Sequence, residues 1–98
     1  MDTLPNKRSA WVIENQLIRS ATSVGANLAE GRAASSRVEF KKFHEIALKS
    51  ANETKYWLSI LGDLKLCDKE IIEKLLREVT EIANMLASGV IKLKSEKF

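Results

Sequence analysis

Cysteine, proline, histidine and aromatic side chains are scarce in this 98-residue chain, and each shortage removes a class of structure or chemistry. A single cysteine, Cys67, excludes an intrachain disulfide and a multi-cysteine zinc site within one chain, and it suits a reducing cytosol. One proline, Pro5, and four glycines leave little material for a turn-rich β fold. One histidine, His44, has no second histidine or nearby cysteine with which to hold a metal, so it reads as a surface or half-buried helix residue. With 6% aromatics there is no aromatic-rich sheet motif of the kind that stacks single-stranded bases. No apolar run approaches the roughly 18 residues of a membrane span. Met1–Ala10 is polar and lacks the apolar stretch of a signal peptide. A cytoplasmic protein without a membrane segment is expected.

Catalytic machinery is scarce as well. Nothing supplies an activated nucleophile, and Gly25 and Gly31 do not form a phosphate loop of known spacing. Glu30 and Glu53 are the one conceivable acid/base pair. Neither an enzyme nor a bound cofactor or metal is expected.

What the chain does contain is helix-forming sequence with clear punctuation. The apolar fraction is 45% and the charged fraction 30%, as amphipathic helices require. After a lead-in over Met1–Asn6, a first helix is predicted from Arg8 to Ala29. Leu17, Ala21, Val24 and Leu28 alternate four- and three-residue steps along one stripe. Gly25 either admits another backbone or is a local irregularity. Gly31 is the predicted stop, in the left-handed conformation that glycine takes without a Cβ clash. After a short loop, Ser36-Arg37-Val38-Glu39 matches a reciprocal capping box. It opens a second helix from Arg37 to about Lys65, with Phe40, Phe43, Ala47, Thr54, Leu58 and Leu61 on its stripe. Asp68 is the predicted N-cap of a third helix, Lys69 to Lys94. Its seam is Ile72, Leu75, Val79, Ile82, Leu86, Gly89 and Leu93, broadened by Leu76, Ala83 and Val90. Short connections favour antiparallel neighbours. The predicted fold is therefore all-α, an antiparallel up-down helical bundle forming one domain over residues 1–98.

Two sets of polar residues are candidates for function. In the second helix, Ser50 and Glu53 share a face amid small residues; a buried Glu53 would need a donor, and Asn27 is the candidate. Asn27, Glu30, Ser50 and Glu53 form the predicted polar packing set, with a solvated Glu53 beside Lys49 as the alternative. The net charge is +3, and the excess lies in the first two thirds of the chain. Arg19, Arg32, Arg37, Lys41, Lys42 and Lys49 gather there around the first helix, the loop and the start of the second. They suit phosphate contacts, or simply a solvated face. Trp11, Trp57, Ile60 and Ile71 fall off the main seams, which points to homo-oligomerisation or to ordinary core and surface positions.

The run Gln16-Leu17-Ile18-Arg19-Ser20-Ala21-Thr22-Ser23-Val24-Gly25-Ala26-Asn27-Leu28-Ala29-Glu30-Gly31 resembles the hallmark segment of the four-helix bundle proteins encoded in 23S rRNA intervening sequences. Glu39-Phe40, Phe43, Ile46-Ala47 and Ser50-Ala51-Asn52-Glu53 are similar to that family's next segment, and the likeness covers roughly residues 8–93. The resemblance implies an antiparallel four-helix bundle that assembles as a ring, typically a homopentamer. A relative, the accessory protein of diversity-generating retroelements, implies binding of RNA or a ribonucleoprotein. The family usually begins with a long helix before this segment. Here only Met1–Lys7 precede it, so the first of the four helices is expected to be short or absent, exposing a groove that another protomer could fill. The function implied is a non-enzymatic helical bundle that self-assembles and binds structured RNA through a basic surface. The alternative is a protein–protein adaptor whose apolar groove holds a partner helix.

Overall fold

The computed structural model describes residues 7–95, so the predicted lead-in with Pro5 lies outside the described residues. Three helices account for almost all of them: α1 (Lys7–Arg32), α2 (Arg37–Asp63) and α3 (Lys69–Ser95). The chain is all-α, but with three helices among the described residues where the family resemblance implies four.

The helix starts follow the sequence. Ser36 Oγ accepts from the Glu39 backbone N–H at 3.2 Å, which satisfies one of the free donors of the first turn of α2. The reciprocal half of the predicted capping box does not form; the Glu39 carboxylate instead accepts from the Ser35 hydroxyl at 2.6 Å. Asp68 caps α3 as predicted, its carboxylate accepting from the Glu70 N–H at 2.9 Å.

The helix ends differ from expectation. Gly31 does not stop α1 with a left-handed turn, because no glycine among the described residues has a positive φ. The helix continues through it to Arg32. Glycine serves a different need here: a Cβ would lie 3.3 Å from His44 Nδ1 and 3.4 Å from Phe43 Cβ, so its absence lets the end of α1 press against α2. The left-handed residue is Lys65, at φ 56°, just after α2. The Leu66 N–H returns to the Leu61 carbonyl at 3.0 Å and the Lys65 N–H to that of Gly62 at 3.1 Å, a Schellman ending with lysine where glycine is usual. Lys65→Gly is therefore expected to stabilise the chain by about 1 kcal/mol, by removing the Cβ cost of the left-handed conformation. Urea unfolding checks this, and an unchanged or lower midpoint would contradict it.

Helix α2 lies between the other two. Both α1 and α3 pack on α2, while among the described residues no Cα of α1 comes within 8 Å of one in α3. Along the first seam, 19 and 20 meet 53 and 54, 23 meets 50, and 31 meets 44, so numbering rises on one helix as it falls on the other. The outline is elongated, 59 × 21 × 17 Å. Its radius of gyration, 16.0 Å, exceeds the roughly 13 Å of a compact chain this long.

The core runs along α2 and α3: Ala47, Ala51, Leu58 and Leu61 on one side and Ile72, Val79, Ala83 and Leu86 on the other. The predicted seam of α3 is thus rotated. Ile72, Val79, Ala83, Leu86 and Val90 are buried, whereas Leu75 and Ile82 remain more than a third exposed. The apolar arc of α3 is wider than one neighbouring helix can cover, and the helix turns its smaller Ala83 towards α2. The stripe of α1 is only partly covered. Leu17, Val24 and Leu28 touch the core without being buried, and Ala21 is exposed.

Candidate functional site

The first candidate is the polar seam between α1 and α2. Ser20 has no exposed surface, and its hydroxyl lies 3.0 Å from that of Thr54, which donates to it; Ser20 donates in turn to the Leu17 carbonyl at 3.1 Å. One turn on, the Ser23 and Ser50 hydroxyls sit 2.8 Å apart. The Asn27 amide then donates to Ser23 Oγ at 3.1 Å and to the Ser23 carbonyl at 2.9 Å. These small side chains let two backbones approach closely while each hydroxyl finds a partner, as burial demands.

Asn27 and Ser50 belong to one network through Ser23, and Asn27 is not the donor to Glu53. Glu53 is paired with the Arg19 guanidinium and accepts from the Trp57 indole N–H at 3.1 Å. Arg19 reaches across from α1, whereas Asn27 lies two turns further along and is already committed to Ser23. Glu30 is exposed near the other end of α1. Glu30 stands beside the level of His44 and Glu53 beside that of Arg19, so about 15 Å of helix axis separates the supposed acid/base pair. No joint proton chemistry is available to them. Ser20, Ser23 and Thr54 were absent from the predicted set. Their signal was present, as Ser20-x-x-Ser23-x-x-x-Asn27 on one helix and Ser50-x-x-x-Thr54 on the other place hydroxyls on facing stripes.

The second candidate is the basic corner where α1 passes into α2. Arg32, Arg37, Lys41 and Lys42 surround the turn and the first helical turns of α2, while Lys49 lies about 10 Å further along that helix. Arg32, Lys42 and Lys49 are exposed; Lys41 has Glu45 at 3.9 Å, a weak surface pair. A shallow depression joins Val38, Lys41, Lys42 and Glu45. Arg19 does not join this corner, because Glu53 and the Gln16 side chain hold it about 20 Å down α1. His44 sits behind the corner with its ring on Phe40, centroids 4.2 Å apart, and Nδ1 3.0 Å from the Phe40 carbonyl oxygen. Among the described residues no group of three metal-ligating side chains is assembled, and no helix is long and apolar enough to cross a membrane.

The third candidate follows from the separation of α1 and α3. Between α1 and α3, over α2, runs a groove of about 350 Å³, almost wholly apolar. Leu17, Ala21 and Gly25 form one wall, Leu58 the floor, and Leu75 and Ile82 the other wall, with Glu78 as its one charged lining residue. A Cβ on Gly25 would meet nothing within 4 Å, so among the described residues no approaching backbone explains that glycine.

The sequence pattern of the family described as 23S rRNA-intervening sequence protein matches residues 1–88. Among solved structures, the chain is similar to a protein of unknown function from the S23 ribosomal protein family of Bacteroides thetaiotaomicron VPI-5482. The two are 40% identical, the match covers 87% of this chain and 79% of that one, and the TM-score is 0.80. No curated protein matches.

Proposed function

The chain belongs to the family of 23S rRNA-intervening sequence proteins, and from that premise we propose a non-enzymatic, up-down antiparallel helical bundle of the cytoplasm that self-assembles and binds structured RNA. The observation that carries the RNA reading is the corner of exposed Arg32 and Lys42, with Lys41 and Arg37 between them, at the capped start of α2. The positive end of a helix dipole and flexible cations nearby favour phosphate oxygens, which gives affinity without reading bases.

The test is binding of a structured RNA hairpin across salt. About four phosphate contacts predict a loss of roughly a hundredfold in affinity between 50 and 200 mM salt. Replacing Arg32, Lys41 and Lys42 together by alanine is expected to flatten the salt slope by about three. Absence of binding at low salt would end the RNA reading.

The groove favours a second reading, an adaptor that holds a partner helix. Apolar capture of a helical peptide responds weakly to salt, so the same titration separates the two.

A further inference from the structure

Helix α2 buries Ala47, Ala51, Thr54 and Leu58 on one side. The opposite side carries Lys42, Lys49 and Tyr56 at seven-residue steps, and all three are exposed. Each step is about 10 Å along the axis. Among the described residues neither lysine is ion-paired. Glu45, the acid on the same stripe, lies 3.9 Å from Lys41, and Asn52, between Lys49 and Tyr56, is uncharged. Tyr56 is the one tyrosine of the chain, and it is 57% exposed. Its ring is nevertheless backed: the Trp57 ring stands against it, centroids 4.9 Å apart and planes at 73°. The Trp57 indole N–H is tied to Glu53, and Glu53 to Arg19. The cluster that joins α1 to α2 therefore also supports an aromatic ring in solvent. A ring held in this way loses little freedom when a flat ligand stacks on it.

We propose that this face of α2 takes an unpaired RNA strand, with Lys42 and Lys49 on its phosphates and one base stacked on Tyr56. The inference rests on the RNA reading above and names the RNA that the surface fits, a duplex carrying a single-stranded extension. Lys42 belongs to both the basic corner and the stripe, so the paired part sits at the corner and the extension runs along α2 towards Tyr56. Bases inside an A-form duplex are stacked on one another and lie in grooves that a side-chain ring does not enter, so a stacking tyrosine selects unpaired nucleotides. Every base has a face to stack, so the ring selects the state of the strand and not its sequence. From Lys42 to Tyr56 is about 21 Å, the rise of about six stacked nucleotides. Two unpaired cations leading to the ring favour a phosphate chain over an apolar protein surface.

Fluorescence anisotropy with two RNAs tests the site: a blunt duplex, and the same duplex with about six unpaired nucleotides added at its 3′ or its 5′ end. In one of the two polarities the extended duplex is expected to bind about tenfold more tightly than the blunt one. Tyr56→Ala, at an exposed position, is expected to keep the helicity seen by circular dichroism and the affinity for the blunt duplex, and to abolish the advantage of the extension. Tyr56→Phe should retain that advantage, because stacking needs the ring and not the hydroxyl. Lys49→Ala is expected to lower the salt slope for the extended duplex by about one and to leave that for the blunt duplex unchanged. Binding of neither RNA at low salt would overturn both this site and the RNA reading. Equal binding of blunt and extended duplexes, or an advantage that survives Tyr56→Ala, would keep the RNA reading and overturn this site. Loss of self-association in Tyr56→Ala with the preference for the extension intact would make the face a contact between copies, and would overturn it as well.

Discussion

Ser20→Leu is expected to cost about 3 kcal/mol of folding stability, and Ser20→Ala only about 1 kcal/mol. Ser20 has no exposed surface, and its hydroxyl meets that of Thr54 at 3.0 Å across the α1–α2 seam. Alanine removes a hydrogen bond but leaves the Thr54 hydroxyl its second acceptor, the Ser50 carbonyl at 2.8 Å. Leucine adds carbon where the helices already touch, so they must part, and parting them also breaks the Ser23–Ser50 and Arg19–Glu53 contacts. Urea unfolding followed by circular dichroism measures both variants. Equal losses for the two would mean that the seam has room, and the close-packing account would fail.

Leu86→Ala is expected to cost about 2–4 kcal/mol, while Met85→Ala changes the unfolding free energy of the isolated chain by less than about 0.5 kcal/mol. The two residues are adjacent, yet Leu86 is 8% exposed and Met85 67%. Leu86 packs into the α2–α3 core, where truncation leaves a cavity. Met85 points away from that core. Denaturation at low protein concentration isolates the fold from association. A reversal of the ranking would place the core on the wrong side of α3.

The helices were legible because their signals are local. Ser36 and Asp68 cap by reaching a backbone N–H within three residues, and the stripe of α2 is long enough to average out irregular positions. The ending of α2 was less legible, since lysine at position 65 carries no sign of a left-handed turn. Gly31 carried a misleading sign, because a glycine kept for close approach looks in sequence like a glycine kept for its φ. The seam of α3 was ambiguous for a physical reason. Its apolar arc spans two stripes, and periodicity alone does not say which of them meets α2. At the candidate sites, a small, polar stretch around Ser50 was legible. The Arg19–Glu53–Trp57 cluster was not, because it depends on which levels of two helices meet, and sequence spacing within one helix does not set that. Arg19 was consequently counted with the basic corner, from which its ion pair removes it.

Among the described residues no Cα of α1 comes within 8 Å of one in α3, which gives the fold the energetics of a short linear array. Each outer helix is coupled to one neighbour, so stability is the sum of two interfaces, one polar and close, the other apolar, joined through α2. Opening one edge leaves the other interface standing, and α2 is the element whose loss dissolves both. Cooperativity in such a chain has to pass through its middle, which makes the central helix, rather than either exposed edge, the place where a single substitution is felt along the whole molecule.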